Sequence, residues 1–263
     1  MITTAVVLAR GLGTRMRAEG SGVLSEAQRA AASAGYKALM PIGKHRLVDY
    51  SLSALADAGM RRVVLVVAPD HDDFRAHIAE VQPKRLDVTF AVQEEPLGTA
   101  DAVAAAAEAV GDEECIVVNG DNLYPTEGVR ALAECGGNSL LGFDRSALLA
   151  GSNIPAERVA AFALMEESEG KLRHIVEKPE PSVVEAAGEH ALVSMNIFAF
   201  KPEIFDACRR VEKSKRGEYE LVDAVRMLDE VTVVPISAGV LDLSRRDDIA
   251  EVERRLEQFE VRL

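Results

Sequence analysis

A glycine-rich turn near the amino terminus places a hydroxyl and a guanidinium directly after a predicted buried strand. The apolar run at residues 5–9 leads into Gly11, Gly13, Thr14 and Arg15, and Lys37 follows further along the chain. Glycine lets backbone N–H groups approach an anion closely, and the arginine and the lysine supply the positive charge that several phosphates require. The pattern therefore predicts a binding site for a nucleoside triphosphate.

This turn differs from two common phosphate-binding loops. A dinucleotide-binding turn needs a third glycine where this chain has Met16, and an acidic residue after the next strand, which here ends in Ala68 and Pro69. A P-loop needs Gly-Lys followed by Ser or Thr, which the chain lacks at this position. The more specific feature is Gly-x-Gly-Thr-Arg combined with a later Lys37 and Pro41 in Lys-x-x-x-Pro spacing.

The first half of the chain alternates apolar runs with helix-period segments. Strands are predicted at residues 5–9, 63–67, 88–92 and 116–118, and helices at 47–58, 72–80 and 99–110. Such alternation is typical of β-α-β units, in which helices cover both faces of a mostly parallel sheet. The fold class predicted is a three-layer α/β sandwich around a mixed, mostly parallel sheet.

From about residue 138 the pattern changes to strands joined without long helices. Strands are predicted at residues 140–144, 158–165, 172–176, 192–200, 231–236 and 240–243, and helices at 202–210, 219–228 and 247–259. We expect antiparallel strands built onto the first sheet, with the last two closing it. A single domain is predicted over residues 1–263, divided into halves at 1–137 and 138–263.

Residues 17–35 form an insertion between the glycine turn and Lys37. Residues 19–22 predict a mobile turn, and the alanine-rich stretch after them predicts a short helix with Ser25 as its N-cap. A lid over a bound nucleotide would lie at this place, and a surface excursion without a role is equally compatible.

Composition restricts the classes of partner. The 263 residues are 48% hydrophobic and carry a net charge of −13, which suits a sizeable core and repels nucleic acid and anionic membrane surfaces. No membrane-spanning run or signal peptide is evident, and three cysteines without metal-ligand spacing indicate reduced thiols in the cytoplasm. We expect small-molecule partners, with a homo-oligomer left open.

Across nearly its whole length the chain resembles the sugar-nucleotide pyrophosphorylases, which join a nucleoside triphosphate to a sugar 1-phosphate. Segments similar to that family's motifs occur in the family's order at residues 8–16, 37–41, 93–100, 118–121, 176–179, 217–223 and 241–243. The resemblance implies the Rossmann-like nucleotide-diphospho-sugar transferase fold. It also implies that residues 1–137 bind the nucleotide and residues 138–263 the sugar phosphate.

The resemblance implies roles on the nucleotide side. Arg15 would hold the β- and γ-phosphates and Lys37 the α-phosphate, and both would be catalytic together with Lys178. Gln93 and Gly98 would contact the base, because a carboxamide offers both a donor and an acceptor to a base edge. Thr99 would cap the helix that follows. The nucleotide-binding residues expected are Leu8, Gly11, Gly13, Thr14, Gln93, Gly98 and Thr99.

The same resemblance implies a sugar-phosphate site in the second half. Lys178 would bind the phosphate, Glu177 would accept from a sugar hydroxyl, Gly142 would lie against the sugar, and Ser194 would bond a hydroxyl. Asn196 stands where the family usually has glycine, which would reshape the sugar pocket.

Two carboxylates are the expected magnesium ligands. Asp121 follows a strongly apolar predicted strand, and Asp242 lies near the end of the last one. Carboxylates from separate segments that converge with phosphate oxygens are typical of Mg²⁺ sites. Asp247 and Asp248 are expected instead to cap the terminal helix.

The reaction that the resemblance implies is attack by a sugar-phosphate oxygen on the α-phosphorus of the nucleotide, with pyrophosphate as the leaving group. That oxygen is already anionic, so positioning and charge neutralisation suffice without a general base. Residues 96–100 resemble the corresponding segment of uridylyl-, guanylyl- and adenylyltransferases more than that of thymidylyltransferases, and the resemblance makes UTP the preferred triphosphate. Two alternatives stay open: the same chemistry on a cyclitol or amino-alcohol phosphate, and an inactive regulatory subunit that keeps nucleotide affinity.

Overall fold

The strands and helices are taken from a computed structural model that describes residues 1–11, 13–18 and 23–263. The strands are β1 (Thr4–Leu8), β2 (Pro41–Ile42), β3 (His45–Arg46), β4 (Arg62–Val67), β5 (Asp87–Val92), β6 (Cys115–Asn119), β7 (Asn122–Leu123), β8 (Ser139–Asp144), β9 (Ala163–Ser168), β10 (Lys171–Val176), β11 (Leu192–Phe200), β12 (Thr232–Ile236) and β13 (Leu241–Asp242).

The helices complete the chain. They are α1 (Thr14–Arg17), α2 (Glu26–Ala34), α3 (Leu47–Asp57), α4 (Asp72–Val81), α5 (Thr99–Ala105), α6 (Ala107–Val110), α7 (Thr126–Cys135), α8 (Arg145–Gly151), α9 (Ala156–Val159), α10 (Pro181–Ala187), α11 (Glu203–Arg210), α12 (Leu221–Val225) and α13 (Ile249–Leu256), with a 3₁₀ turn at Arg246–Asp248. In the described part of the chain, no helix is long and apolar enough to cross a membrane.

Within the described residues, nine strands form the main sheet in the order β5-β4-β1-β6-β11-β8-β12-β10-β9. The pairs from β5 to β6 are parallel, β11 runs antiparallel to β6 and β8, and β8 is again parallel to β12. This arrangement confirms the predicted mixed α/β fold. Because parallel strands end at the same edge, the loops after β1, β5 and β6 meet there.

The central strands are apolar along their whole length because both faces are covered. Alternate residues of β1 enter opposite cores: Ala5 and Val7 pack on the side of α3 and α4, and Val6 packs on the side of α5 and α11. Parallel strands buried on both faces read as continuous apolar runs. That pattern made β1, β4 and β6 predictable. The polar residues that follow these strands lie together at the carboxyl edge of the sheet.

Three predicted elements are wrong in part. Residues 158–165 were expected as one strand, but Pro155 caps α9 and β9 begins only at Ala163. The helix predicted at 99–110 is divided, because the Ala106 N–H bonds Val103 in a tighter turn. Residues 240–243 do not close the main sheet: β13 pairs with β7 in a separate two-stranded sheet.

The predicted helix of the insertion is confirmed as α2. Ser25 is its N-cap: its hydroxyl accepts from the Gln28 N–H at 3.2 Å, and the side-chain oxygen Oε1 of Gln28 accepts from the Ser25 N–H at 3.0 Å. Gly35 ends the helix with φ +80°. The turn predicted at residues 19–22 lies outside the described residues.

The predicted cap at the carboxyl-terminal helix is wrong for the Asp248 side chain. Asp248 stands at the N-cap position of α13 but makes no side-chain bond to that helix. Its Oδ2 accepts instead from the N–H groups of Ser244 and Arg245, which precede the 3₁₀ turn.

Candidate active site

A cavity of about 480 Å³ opens at the edge where β1, β5 and β6 end. It gathers every residue that was predicted for the nucleotide, together with the expected phosphate and metal ligands of the first half. Those predicted residues are Leu8, Gly11, Gly13, Thr14, Arg15, Lys37, Gln93, Gly98, Thr99 and Asp121. The β-strand geometry accounts for this convergence, because parallel strands deliver their following loops to one edge.

The glycine turn forms one wall of the cavity. Gly13 has φ +60°, and a Cβ there would lie 2.4 Å from the Gly35 carbonyl oxygen, so only glycine fits against the end of α2. Helix α1 begins directly after it, which exposes Arg15 to the cavity. Within the described residues the Arg15 guanidinium has no ion-pair partner. It is therefore a free cation beside the turn.

Opposite the turn, Lys37 and Asp121 form an ion pair. Lys37 Nζ lies 2.7 Å from Asp121 Oδ2, and the two side chains are 19% and 26% exposed. Both residues line the cavity, so this pair borders the space into which phosphates would enter. The pair thus places one acidic and one basic side chain together at the cavity wall, where each could interact with a charged ligand.

Another part of the cavity wall is built around Gln93. This buried side chain donates from Nε2 to the Gly98 carbonyl at 3.1 Å and to Asp101 Oδ2 at 2.8 Å, which leaves Oε1 as an acceptor. Arg10 also lines the cavity and donates from Nε to the Gln93 carbonyl at 2.7 Å and from Nη2 to the Glu94 carbonyl at 3.0 Å. Arg10 therefore ties the glycine turn to the segment predicted to recognise the base.

Thr99 does not cap α5 as predicted. The N-cap of that helix is Gly98, and the Thr99 hydroxyl accepts instead from the Leu221 N–H at 2.9 Å. The Tyr219 N–H donates to Leu97, and the Ala100 N–H donates to Tyr219. Gly98, at φ +124°, has no room for a Cβ, which would lie 2.4 Å from the Tyr219 carbonyl oxygen. The two segments are clasped by their backbones.

Arg216 is a residue that the sequence reasoning missed. It lines the cavity, and its Nη2 lies 2.7 Å from Glu220 and 3.5 Å from Glu177. Burial, followed by the charge of Glu220, raises the pKa of Glu177. The signal was present, because Arg216 directly precedes the segment at 217–223 that resembles a family motif.

The residues predicted for the sugar phosphate form a second group on neighbouring strands. Ser194 on β11 pairs with Gly142 on β8 and with Ala163 on β9. Glu177 and Lys178 follow the end of β10, whose Val176 pairs with β9. Lys178 is exposed and has φ +46°. Arg216 is the contact between this group and the cavity, through its ion pair with Glu177.

Asp242 is buried and surrounded by donors. Its Oδ1 accepts from Asn122 at 3.0 Å and from Ser244 at 3.2 Å, and its Oδ2 accepts from Arg158 Nη2. Burial, followed by the charge of Asp121, raises the pKa of Asp242. Arg158, which the sequence reasoning also missed, contacts Asp248 as well, with Nη1 3.1 Å from its Oδ1.

The donor set fits a hydrated magnesium ion. Asp121 and Asp242 lie on paired segments: the Leu243 N–H donates to the Asp121 carbonyl at 2.9 Å, and Asp242 pairs with Asn122 between β13 and β7. Among the described residues, no group of three or more His, Cys, Asp or Glu side chains is placed to hold a metal. Mg²⁺ commonly takes one or two carboxylates and completes its shell with waters and substrate phosphates.

Known proteins resemble this chain over most of its length. A low-salt glycan biosynthesis nucleotidyltransferase of Haloferax volcanii is 29% identical over 74% of this chain, which spans 52% of that relative. A glucose-1-phosphate thymidylyltransferase of Mycolicibacterium smegmatis is 27% identical over 98% of this chain and 83% of its own length. The fold matches a UDP-glucose pyrophosphorylase solved with UDP-glucose, with a TM-score of 0.75, 16% identity, and coverage of 99% and 100% of the two chains.

The family model described as "Nucleotidyl transferase" matches residues 4–255, which include both strand groups and all the segments that form the cavity. The chain therefore belongs to the nucleotidyl transferase family.

Proposed function

We propose that this protein joins a nucleoside triphosphate to a sugar 1-phosphate, producing a nucleoside diphosphate sugar and pyrophosphate. The observation that carries the proposal is the single cavity that holds Arg15, the Lys37–Asp121 pair and Gln93. A cationic glycine turn and a carboxamide on the wall of one cavity suit the phosphates and the base of one nucleotide. The relatives that bear sugar-1-phosphate names support the second substrate.

The phosphate end supplies positive charge where pyrophosphate leaves. Arg15 has no partner to give up within the described residues, so its guanidinium is available for the β- and γ-phosphates. The backbone N–H groups of Gly11 and Gly13 add donors without a charged side chain. Lys37 is placed for the α-phosphate and balances the charge that develops in an in-line displacement.

The attacking group comes from the second strand group. Lys178 and Arg216 bind the sugar phosphate, and Glu177 and Ser194 bond its sugar. One phosphate oxygen forms a bond to the α-phosphorus as the bond to the β-phosphate oxygen breaks, and that oxygen leaves with the pyrophosphate. The nucleophile is anionic at neutral pH, so these residues orient it and need not remove a proton.

Asp121 and Asp242 are the residues that would hold magnesium. The ion, when bound, supplies charge neutralisation at the phosphate oxygens. The chain's own part is to keep two carboxylates together: Asn122 and Ser244 bond one oxygen of Asp242, and Leu243 N–H donates to the Asp121 carbonyl at 2.9 Å.

The hydrogen bonds of Gln93 favour a uracil or thymine base. Its Nε2 is occupied by Gly98 and Asp101, so the acceptor Oε1 is the atom left for a ligand. Uracil and thymine present an N–H donor between two carbonyl acceptors, whereas cytosine and adenine present an acceptor nitrogen at the corresponding edge. Arg10, with N–H groups beside Gln93, suits the carbonyls. Guanine also presents an N–H at this edge, but with a carbonyl on one side only. Uracil and thymine share the whole edge, so UTP is preferred in the proposal because residues 96–100 resemble the segment of uridylyltransferases more than that of thymidylyltransferases.

The test is pyrophosphate release across the nucleoside triphosphates and a panel of sugar 1-phosphates with Mg²⁺. We expect turnover with UTP or dTTP and at least one sugar 1-phosphate, and no release from either substrate alone. Turnover only with cyclitol or amino-alcohol phosphates would replace the second substrate. Nucleotide binding without release for any pair would contradict the enzymatic proposal and support a regulatory subunit.

A further inference from the structure

Asn196 occupies a backbone conformation that favours glycine, in the middle of a central strand. Its φ is +56°, and its neighbours Met195 and Ile197 are 3% and 1% exposed, whereas Asn196 itself is exposed. Asparagine is among the few side chains that enter this region regularly, and such positions cluster at functional sites. The strand thus accepts a strained residue in order to present a polar side chain.

A bulge in β11 explains the exposure. Ser194 pairs with Gly142 and Phe198 pairs with Leu140, so three residues of β11 lie opposite Leu141 alone. Bulges re-aim side chains and occur often beside active sites. The buried Tyr124 hydroxyl anchors this one by donating to the Met195 carbonyl at 2.7 Å.

The bulge lies beside both candidate substrate groups. The pairing of β11 with β6 ends at Phe198 and Val117, two residues short of Asn196 on one strand and of Asn119, a residue of the cavity wall, on the other. The Tyr124 hydroxyl is also 3.4 Å from Asn122 Oδ1, and Asn122 bonds Asp242. Tyr124 therefore links the bulge to Asp242 through Asn122, and Ser194 lies two residues from Asn196 along the same strand.

The carboxamide of Asn196 has no hydrogen-bond partner within the described residues; only its backbone is bonded, by N–H to Ser194 Oγ at 3.4 Å and by C=O to Tyr124. An amide with a free donor and a free acceptor matches a hydroxyl group. We propose, on the basis of the function proposed above, that Asn196 is a specificity-determining residue that bonds a ring hydroxyl of the sugar 1-phosphate.

The inference predicts a particular kinetic pattern. Asn196→Gly removes the amide and relaxes the backbone, so the variant folds at least as well while losing one substrate bond. We compare the sugar 1-phosphate that the wild type turns over best with its monodeoxy analogues. For one of these analogues, the wild-type kcat/KM should be at least about tenfold lower than for the parent, because a site that hydrogen-bonds a hydroxyl discriminates strongly against a substrate that lacks it. In Asn196→Gly that penalty should vanish, with KM for the nucleotide unchanged.

A matched control separates specificity from backbone relief. Glu169 has the same φ of +56° in the turn between β9 and β10, so Glu169→Gly relaxes a left-handed backbone residue away from Asn196. Asn196→Ala gives the converse test, because it keeps a Cβ in the strained conformation and removes only the amide. We expect Asn196→Ala to lose the deoxy penalty and Glu169→Gly to keep it.

The measurement is kcat/KM for pyrophosphate release with the parent sugar 1-phosphate and its monodeoxy series, with thermal unfolding of each variant alongside. The inference is overturned if both Asn196 variants keep the wild-type penalty, or if Glu169→Gly abolishes it as well. If the wild type releases pyrophosphate with none of the sugar 1-phosphates tested, the proposed function fails and the inference fails with it. If the wild type is active, only the role of Asn196 is at stake.

Discussion

Lys37 Nζ and Asp121 Oδ2 are 2.7 Å apart at the wall of the cavity, and this pair joins two residues that lie 84 positions apart in the sequence. In the proposed function, each partner has another task once substrates bind: the lysine at the α-phosphate and the carboxylate at the metal. The pair keeps both side chains in place and balances their charges in the free protein.

Asp121→Asn should lower turnover by about 10²–10³-fold, a typical effect of removing one electrostatic contact at a reacting phosphate. Lys37→Met should do the same by removing the positive charge. Pyrophosphate release measures both effects, and circular dichroism checks the fold. Because the pair is partly exposed, its loss should cost about 1 kcal/mol or less of unfolding free energy. Full activity of either variant would remove that residue from the site.

Arg15→Ala should weaken nucleotide binding without destabilising the protein. The side chain is exposed and has no partner in the described residues, so its removal breaks no contact. Titration calorimetry with UTP is expected to show at least about tenfold weaker binding, since charge-assisted bonds to phosphate contribute about 1.5–3 kcal/mol. Arg61→Ala is a matched control, since Arg61 is also exposed and lies outside the cavity. Equal affinities in the two variants would contradict the role of Arg15.

Gly98→Ala should open the clasp between residues 98–100 and 219–221. The added Cβ would lie 2.4 Å from the Tyr219 carbonyl oxygen and 2.7 Å from its nitrogen, so one backbone must move. We expect higher KM values for both substrates, because Gln93 bonds the Gly98 carbonyl and Arg216 precedes Tyr219.

Gly59→Ala provides the control for the clasp. Gly59 has φ +101°, and a Cβ added there would meet no atom within 4 Å, so its substitution adds the strain of positive φ without a collision. That strain costs of order 1–3 kcal/mol. Urea unfolding should show a larger loss for Gly98→Ala, and only that variant should alter KM. Similar behaviour of both variants would mean that the clasp does not position the site.

The nucleotide side of the site was predictable because it depends on local order. A buried parallel strand is visible as an apolar run, and the residue that follows it must lie at the carboxyl edge of the sheet. The positions of Gly13, Gln93 and Asp121 beside one cavity follow from that rule. Their neighbours in sequence also carried the resemblance to the family.

Partnerships across the chain were not predictable from local patterns. Arg158 meets Asp242 across 84 residues, and Thr99 meets Leu221 across 122. The sequence around Arg158 predicted a strand residue, and the sequence around Thr99 predicted a helix cap. Nothing in either local sequence indicates the distant partner. Tertiary packing decided both.

Asp144 should give the protein a measurable loss of stability in acid. It is the N-cap of α8, and bonds from the Ala147 N–H, the Ser146 hydroxyl and His190 lower its pKa to about 2. Because its pKa is lowered on folding, the ionised carboxylate stabilises the fold at pH values above 3.8, the ordinary pKa of aspartate. This stabilisation is lost as the pH falls toward about 2.

Asp144→Ala should therefore cost about 1 kcal/mol of unfolding free energy at pH 7, as for other N-caps, and less as the pH falls below about 4. Urea unfolding at about pH 7, 5 and 3, values chosen to bracket the titration, measures the difference in unfolding free energy between the wild type and Asp144→Ala. Asp206→Ala serves as the control, since Asp206 is 78% exposed and pairs only within its own helix. A difference between wild type and Asp144→Ala that stays constant with pH would contradict the assignment.

Arg158 should act as the internal counter-charge of the proposed metal site. It is 13% exposed and contacts both Asp242 and Asp248, which are themselves 7% and 10% exposed in their side chains. Arg158→Met keeps an unbranched apolar stem and removes the guanidinium, which leaves two buried carboxylates without their ion-pair partner. Breaking a buried pair in this way costs about 3–5 kcal/mol.

Urea unfolding in EDTA should show that loss, and added Mg²⁺ or Mn²⁺ should recover part of it by supplying positive charge at Asp242. Arg254→Met is the control, because Arg254 is 66% exposed in an ion pair with Glu251, so its loss should hardly change the unfolding free energy and should show no response to the metal. If the divalent ion stabilises both variants equally, Arg158 does not share Asp242 with the metal.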